Sequence, residues 1–203
     1  MKWNSKGDFT MFKDLVIKNR SYRGWNPERR VTDEELRDMI DCARLSASSM
    51  NKQPLKFHPV NNPEEVLIVQ NHVKLARALP ELNLPFEGTE PPAYILILHD
   101  KTIHEDDCSM HFLKDVGITA QSITLCAAEK GLNCCMIGNY NKPALREALK
   151  LDERYTVQLV IAIGEGIEDI ELVEICDGED INYHRDEDNR HYVPKRKLED
   201  VIV

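Results

Sequence analysis

The sequence predicts one domain of the α/β or α+β class over residues 1–203, in which helices and strands alternate. A chain of 203 residues is long enough for one domain with a sizeable core. Its hydrophobic content of 42% and charged content of 30% are ordinary for a globular protein. Segments with helical and strand periodicity follow one another without internal repeats or low-complexity stretches, which favours a single layered domain.

Charge and hydropathy argue against two classes of partner. The formal net charge is −9, whereas sequence-independent binding of nucleic acid needs a basic face. No apolar run approaches the length of a membrane span, so no membrane partner is expected. The segment Met1–Asp8 has no hydrophobic signal region, and we therefore expect a cytoplasmic protein.

The cysteines and histidines predict no disulfide framework and no metal site. None of the six cysteines forms a CxxC pair, which favours buried thiols in a reducing compartment. The histidines show no HxxxH or HxH spacing. The run His104-Glu105-Asp106-Asp107-Cys108 contains metal-ligand residue types, but it is more typical of the polar lead-in to a helix.

The first third of the chain predicts two helices and a strand. Apolar spacing indicates a helix over Phe9–Lys18. A second helix is predicted over Thr32–Arg44, because Thr32 and Glu35 form a capping-box pattern before apolar residues at helical spacing. Pro54 excludes further helix, and the segment Leu55–Val60 has the pattern of a strand.

The next third predicts a strand, a short helix, a loop and a central strand. Val66–Val69 within Glu65–Gln70 has a strand-like apolar run, and Asn71 is positioned to cap a helix up to Leu79. Pro80–Pro92 contains five prolines and is predicted to be a loop of the length typical of lids. Ala93–His99 is almost continuously apolar, as in a strand covered on both faces.

The longest periodic segment predicts a central helix over about 107–130. Its stripe contains Leu113, Val116, Gly117, Ala120, Ile123, Thr124 and Ala127. Because apolar residues extend beyond one stripe, the helix should be buried in the core or in a subunit interface. Gly117 costs about 1 kcal/mol relative to alanine in mid-helix, which suggests a close approach of another helix. Gly131 is placed to end the helix.

The last third predicts two strands, a short helix and a hairpin. Cys134–Tyr140 reads as a strand leading into a turn, and Asn141 with Pro143 marks a helix start. Tyr155–Ile163 reads as a second central strand. Asp180–Val193 reads as a hairpin around an acidic turn.

Three polar segments have side chains suited to binding a ligand. Ser46–Pro54 offers hydroxyls and amides that both donate and accept hydrogen bonds, although a polar loop after a helix has the same composition. Arg20, Ser21 and Arg23 could bind a phosphate, or they could belong to a solvated loop. Lys195–Lys197 contains three cations and could equally be a solvated tail.

Four segments resemble motifs of the nitroreductase family of flavoenzymes, and they occur in that family's order. The first family motif is Arg-Arg-Ser-x-Arg, and this chain reads Asn19-Arg20-Ser21-Tyr22-Arg23. The second is Pro-Ser-x-x-Asn-x-Gln-Pro, and this chain reads Ala47-Ser48-Ser49-Met50-Asn51-Lys52-Gln53-Pro54. The third is Ile-Gly-Gly or a variant, here Ile137-Gly138-Asn139, and the fourth is a terminal Lys/Arg segment, here Lys195-Arg196-Lys197. The chain departs from the family pattern at Asn19, where the family has arginine, and at Ala47, where it usually has proline. It also departs at Gly166, where most relatives have the proline of a Gly-x-Pro sequence.

The resemblance implies the nitroreductase fold, in which helices wrap a mostly antiparallel central sheet and a C-terminal segment is exchanged in a homodimer. It also implies two FMN sites at the dimer interface. One subunit would contribute Arg20, Ser21, Arg23, Ile137, Gly138, Asn139, Lys195, Arg196 and Lys197. The other subunit would contribute Ser48, Ser49 and Asn51, with Gln53 in the same motif. The backbone of Gly138 and Asn139 would lie near flavin N5, and the asparagine tolerates a positive φ there.

The implied activity is two-electron transfer by a ping-pong mechanism, with no catalytic side chain and no metal. NADH or NADPH would reduce FMN and leave, and a nitroaromatic, a quinone or an activated alkene would then accept the electrons. Two alternatives share the fold. One is a specialised flavin enzyme of the dehalogenase or flavin-cleaving type, and the other is a flavin-binding module with little turnover.

Overall fold

The computed structural model describes residues 12–75, 84–106 and 109–203. The chain folds into two compact units, a first unit up to Gly166 and a second unit over Ile167–Val203. The single domain expected over residues 1–203 stays a prediction.

The first unit is built on a four-stranded antiparallel sheet with the strand order β1-β2-β4-β3. Its strands are β1 (Leu55–Val60), β2 (Ala93–Asp100), β3 (Asn133–Ile137) and β4 (Tyr155–Gly164). His58, Leu96, Val160 and Ile137 are paired across the sheet in one row. β1 and β3 therefore form its two edges.

Five α-helices belong to the described part of this unit. They are α1 (Phe12–Lys18), α2 (Asp33–Arg44), α3 (Pro63–His72), α4 (Met110–Glu129) and α5 (Lys142–Ala148). One core cluster joins Met39 of α2, Ile123 of α4 and Ile95 of β2. The other joins Val69 of α3, Leu145 of α5 and Leu96 of β2. Because successive side chains of β2 enter opposite clusters, the sheet lies between two helical layers. This arrangement confirms the predicted fold class.

Local signals in the sequence fix several of these elements as predicted. All eight residues of β2 are buried, in agreement with its continuous apolar run. The Glu35 amide donates to Thr32 Oγ1 at 3.2 Å and the Thr32 amide donates to Glu35 Oε2 at 2.9 Å, which completes the capping box. The Asn141 side chain accepts from the Ala144 amide at 3.1 Å and caps α5. Gly131, at φ +75°, follows the last turn of α4.

The strand predicted over Glu65–Gln70 is wrong, because that segment lies inside α3. The Asn62 side chain accepts from the Glu64 amide at 2.9 Å, and Pro63 occupies the first turn. A short apolar run fits a strand and a helix equally well, and here the cap and the proline decide for helix. Asn71 is consequently inside α3 and does not cap a helix. Residues 76–79 of the predicted short helix lie outside the described residues, as do 80–83 of the predicted loop.

The predicted stripe on α4 is correct on one side and wrong on the other. Val116, Ala120 and Ile123 are buried against the sheet. Leu113 and Gly117 face outward, and a Cβ on Gly117 would meet no described atom within 4 Å. The close helix approach predicted at Gly117 is therefore absent among the described residues of the chain. Residues 107 and 108 of the predicted helix lie outside the described residues.

The prediction of buried thiols holds for three cysteines and fails for two. Cys126, Cys134 and Cys135 are buried, whereas Cys42 and Cys176 are exposed. All five are free thiols, and Cys108 lies outside the described residues.

The second unit contains a small mixed sheet with the order β5-β7-β6. The predicted hairpin is present as β6 (His184–Arg185) and β7 (His191–Arg196), with a shorter first strand than the sequence indicated. Asp186 shapes the turn, since its Oδ1 accepts from the amides of Asp188 at 3.1 Å and Arg190 at 2.9 Å. The strand β5 (Ile170–Ile175), which the sequence reading did not identify, pairs in parallel with β7.

Candidate functional site

The loop between α2 and β1 has an unusual backbone. Three non-glycine residues, Met50, Asn51 and Gln53, have φ values of 53°, 53° and 51°. Such conformations cost about 1–3 kcal/mol each and persist only where the surroundings impose them. The Gln53 side chain donates to Asn51 Oδ1 at 3.1 Å, which joins two of the strained residues. The loop is therefore held in one defined shape.

A buried carboxylate, Asp115 on α4, imposes that shape. Its Oδ2 accepts from Ser48 Oγ at 2.7 Å, and its Oδ1 accepts from Ser49 Oγ at 2.7 Å. The Ser49 amide also donates to Oδ2 at 2.9 Å. Ser48 Oγ in turn accepts from the Gln53 amide at 3.0 Å. The hydroxyl protons of Ser48 and Ser49 are thus both engaged within the chain.

The sequence reading did not identify Asp115, although one signal was available. Asp115 lies next to Val116 and one turn before Thr119, on the buried side of an otherwise apolar helix. A carboxylate in that position requires several donors, because an unpaired buried charge is costly.

A cavity of about 320 Å³ opens beneath this loop. Its polar lining includes Ser48, Gln53 and Asp115, and its apolar lining includes Ile40 and Phe57. Ser49 and Asn51 do not line it. The cavity combines apolar walls with a few polar groups, as small-molecule sites do.

The segment Arg20–Arg23 is fixed against the edge strand β3. Ser21 forms a parallel bridge with Cys134, and the Tyr22 amide donates to the Cys134 carbonyl at 3.0 Å. Arg23 is buried, and its Nη1 donates to the Ser21 carbonyl at 3.2 Å. Sequence reasoning predicted these residues as a group, and the backbone pairing places them along β3.

Arg20 retains an unused donor. Its Nη2 donates to the Val16 carbonyl at 2.6 Å, while its Nε is buried and has no hydrogen-bond partner among the described residues. Burial lowers the pKa of Arg20 below its ordinary value. An anion beside this guanidinium would compensate part of its lost hydration.

Close packing around Trp25 and Gly166 holds the Arg20–Arg23 segment in place. Trp25 is fully buried, and its Nε1 donates to the Asn133 carbonyl at 3.1 Å. The Gly166 amide donates to Asn133 Oδ1 at 2.9 Å. A Cβ on Gly166 would lie 2.2 Å from Cδ1 of Tyr22, so only glycine fits beside that ring.

The turn after β3 contains the remaining predicted residues of this group. Ile137 is buried, whereas Gly138 and Asn139 are exposed. The Asn139 carbonyl accepts from the Lys74 amide at 3.0 Å. Neither Gly138 nor Asn139 has a positive φ, in contrast to the possibility raised by the asparagine. A Cβ on Gly138 would meet no described atom within 4 Å, so its surface is open.

The three predicted cations near the C-terminus lie in the second unit and are all exposed. Arg196 forms an ion pair with Asp177. Lys197 Nζ lies 3.2 Å from the Cys176 sulfur. Lys195 precedes them in β7.

In the first unit, the predicted residues form two groups at opposite edges of the sheet. Arg20–Arg23 and Ile137–Asn139 lie along β3, and Ser48–Gln53 leads into β1. Three strand spacings separate these edges, which is about 14 Å. Among residues 12–75, 84–106 and 109–203, no His, Cys, Asp and Glu side chains group to hold a metal ion. No helix in these ranges is both long and apolar enough to cross a membrane.

Comparison with known proteins identifies the family. The model of the Nitroreductase family matches residues 16–165. A Bacillus subtilis (strain 168) protein named "Putative NAD(P)H nitroreductase YdgI" is 23% identical over 187 residues, covering 78% of this chain and 90% of that protein.

Solved structures agree with this result. An FMN-dependent nitroreductase from Clostridium difficile R20291 is 26% identical, with a TM-score of 0.60 and coverage of 76% of this chain and 87% of that one. A nitroreductase family protein from Streptococcus pneumoniae TIGR4 has a TM-score of 0.65 at 17% identity, covering 79% and 93%. The family match spans most of the chain and includes both edge groups, and the chain therefore belongs to the nitroreductase family.

Proposed function

We propose that this protein is an FMN-dependent oxidoreductase that takes a hydride from NADH or NADPH and reduces a small organic acceptor by a ping-pong mechanism. One observation carries the proposal. Arg20, whose buried Nε lacks a partner among the described residues, lies along the same strand as the open Gly138 turn. The charged donor suits the phosphate of FMN, and the open backbone surface suits its flat ring system.

The residues along β3 fit this cofactor. Arg20 would donate to the phosphate, and Ser21 has an exposed hydroxyl beside it. Gly138 leaves room for a ring to approach the backbone, because no side chain projects there. The amides of Gly138 and Asn139 would donate toward flavin N5.

Bound FMN would supply the hydride and electron chemistry. The chain's own task would be positioning. The residues along β3 would hold the phosphate and one face of the ring. Because Gly138 has no side chain, NADH or NADPH and then the organic acceptor could approach the ring closely. The contribution of Lys195, Arg196 and Lys197 to phosphate binding stays a prediction.

We also propose a homodimer in which the second subunit supplies Ser48, Ser49, Asn51 and Gln53. Within one chain, these residues are at the sheet edge opposite Arg20 and Gly138, so a second copy is the way to bring both groups to one ligand. The outer side of α4 supports this proposal. Met110 is 70% exposed, and Leu113 and Ile118 are also exposed. Ser49 Oγ lies 3.0 Å from the His111 carbonyl oxygen, so exposed Met50 lies at the same end of α4.

The exchanged C-terminal segment belongs to the same proposal. Leu198, Val201, Ile202 and Val203 are exposed apolar residues close together in the chain, and grouped exposed apolar residues often mark an interaction surface. The outer edge of β1 has no strand partner among the described residues and offers unpaired backbone groups. The segment of one subunit would cover apolar surface of the other.

Cofactor content tests the first proposal. The purified protein is expected to be yellow, to release FMN on denaturation, and to bind added FMN more tightly than riboflavin. A colourless protein that takes up no FMN would overturn it.

Turnover separates the activity from its alternatives. NADH and NADPH oxidation is measured with a quinone, a nitroaromatic, an activated alkene and a halogenated phenol. Fast turnover with any of the first three supports the proposal. Turnover only with the halogenated phenol supports a specialised dehalogenase, and bound FMN without turnover supports a flavin-binding module.

Sedimentation tests the dimer. At micromolar concentration the expected mass is twice the chain mass of 23.4 kDa. A monomer that retains FMN would contradict the shared site. Because the interface stabilises the folded state, the melting temperature of a dimer should also fall on dilution.

A further inference from the structure

A pair of cysteines outside the proposed cofactor groups joins α2 to α4. These helices run antiparallel, and their side-chain contacts repeat once per turn. Lys130 Nζ lies 2.7 Å from Asp38 Oδ2, and Ser122 Oγ lies 2.6 Å from Ser46 Oγ. Asp38 of α2 is eight residues before Ser46, which follows the end of α2, and Ser122 of α4 is eight residues before Lys130, the C-cap of α4.

Cys42 and Cys126 occupy the turn between those two contacts. Cys42 is four residues from both Asp38 and Ser46. Cys126 is four residues from both Ser122 and Lys130. Residues four apart lie on one face of a helix, so this register brings the two thiols together. Burial raises the pKa of Cys126, and the neighbouring Cys42 thiol raises it further.

The two helices are also close at this level. The neighbouring residues Ala43 and Ala127 are buried in the same core cluster, and their small side chains allow the helices to approach. A disulfide needs Cβ atoms about 3.5–4.5 Å apart. The small residues Ala43 and Ala127, and the contact between the Ser46 and Ser122 hydroxyls one turn away, favour such a short distance.

We propose that Cys42 and Cys126 form an oxidisable pair, which a hydroperoxide converts to an intramolecular disulfide between α2 and α4. Cys42 is exposed and meets the oxidant, whereas Cys126 is buried and is reached only through Cys42. The pair lies on the two helices that hold the loop and the cavity, since Asp115 belongs to α4 and Ala43 to the cavity wall.

The reaction balances in two steps. The Cys42 thiolate attacks a peroxide oxygen, the O–O bond breaks, and a sulfenic acid forms while the other oxygen leaves as water or an alcohol. Cys126 sulfur then attacks the Cys42 sulfur, the S–O bond breaks, and the departing hydroxide combines with the Cys126 proton to give water. Two thiols are oxidised and one peroxide is reduced. Burial raises the pKa of Cys126 to about 12, so this thiol is protonated at neutral pH and its attack is the slower step.

Peptide mapping of the purified full-length chain tests the proposal. Hydrogen peroxide treatment, alkylation of the remaining thiols and trypsin digestion should join DMIDCAR to DVGITAQSITLCAAEK, which carry Cys42 and Cys126. The joined pair should be about 2 Da lighter than the sum of the two peptides, and a reductant should separate them. The oxidised protein should melt about 5 °C or more above its reduced form.

Two variants provide the controls. Cys42→Ser, at an exposed position, should leave the reduced protein folded and abolish the joined peptides and the melting shift. Cys176→Ser removes the other exposed thiol among the described residues and should leave both intact.

Three results would overturn the proposal. The first is oxidised Cys42 in wild-type protein whose Cys126 still reacts with the alkylating agent. The second is a Cys42 disulfide to a different cysteine or to a second chain. The third is Cys42 and Cys126 that both still react with the alkylating agent after peroxide treatment. All three are read from wild-type protein, so they do not depend on whether a Cys126 variant folds.

Discussion

The two edges of the four-stranded sheet contain polar residues of opposite status. At the β1 edge, the Ser48 and Ser49 hydroxyls are both bonded to the buried Asp115 carboxylate. At the β3 edge, Arg20 has a buried Nε without a partner among the described residues. The two serine hydroxyls beside the first edge donate within the chain, whereas the buried Arg20 Nε beside the second edge does not donate to any described residue.

This difference indicates that the polar residues at the β1 edge fix the shape of the loop, whereas Arg20 at the β3 edge is suited to binding a ligand. A satisfied network stabilises the strained loop, so changes there should appear mainly as lost stability. An unsatisfied donor costs stability until a ligand accepts from it, so changes there should appear mainly as lost affinity. Residues that the family resemblance groups into one cofactor site therefore have two distinct physical roles.

The largest effect is expected at the satisfied edge. Asp115→Ala removes the acceptor of the Ser48 hydroxyl and of the Ser49 amide and hydroxyl, and it should lower the free energy of unfolding by about 3 kcal/mol. Urea unfolding followed by fluorescence of buried Trp25 measures it. Glu129→Ala, an exposed carboxylate on the same helix, should change stability by less than about 0.5 kcal/mol. Equal effects of the two changes would remove the distinction between the edges.

A smaller effect is expected from two glycine substitutions near the β3 edge. Gly166 lies in the close packing that holds this edge, whereas Gly138 lies on its open surface. Gly166→Ala places a Cβ against the Tyr22 ring and should destabilise the protein by about 2 kcal/mol. Gly138→Ala meets no described atom within 4 Å and should change stability by less than about 0.5 kcal/mol. Thermal melting measures both. A tolerated Gly166→Ala would show that Tyr22 is free to move.

A larger side chain at Gly138 is expected to change the rate of flavin reduction and not the assembly of the protein. Gly138→Val should leave the oligomeric state intact and slow the reduction of bound FMN by NADH and NADPH, because a branched side chain would crowd the ring. Stopped-flow absorbance measures the rate. Wild-type reduction by Gly138→Val protein with bound FMN would argue that the turn does not face the flavin.

At the unsatisfied edge, the expected effect is on affinity. Arg20→Ala should weaken FMN about tenfold, with little change for riboflavin, because the proposed site places the lost donor at the phosphate. Its unfolding free energy in the absence of flavin should not fall, since removing a desolvated charge offsets the lost bond to Val16. Arg30→Ala, an exposed matched control, should bind FMN as the wild type does. A parallel loss of FMN and riboflavin would indicate a structural role for Arg20.

The smallest effect is expected from the thiols of β3. Burial raises the pKa of Cys134 well above its ordinary value, so its thiol is protonated and unreactive at neutral pH. Cys134→Ala and Cys135→Ala, taken singly, should leave the rate of flavin reduction close to the wild-type rate, and a chelator should have no effect. If either change abolished reduction while FMN stayed bound, a thiol-dependent mechanism would replace positioning.

Elements whose signals are local could be predicted from the sequence alone. The Thr32–Glu35 capping box, the Asn141 cap and the Gly131 helix end each depend on a few neighbouring residues, and all three are present. The buried strand β2 followed from its continuous apolar run. The family motifs lie beside the two edge strands, and their assignment to one cofactor site stays a prediction.

Features that depend on distant partners were decided only by the tertiary structure. The apolar run of α3 fits a helix or a strand, and the outward position of Gly117 depends on which face of α4 meets the sheet. The role of Asp115 requires loop serines more than sixty residues away along the chain. The Cys42–Cys126 contact requires the register of two helices. Local backbone preferences are written in neighbouring residues, whereas burial and hydrogen-bond satisfaction arise only when segments far apart in the sequence pack together.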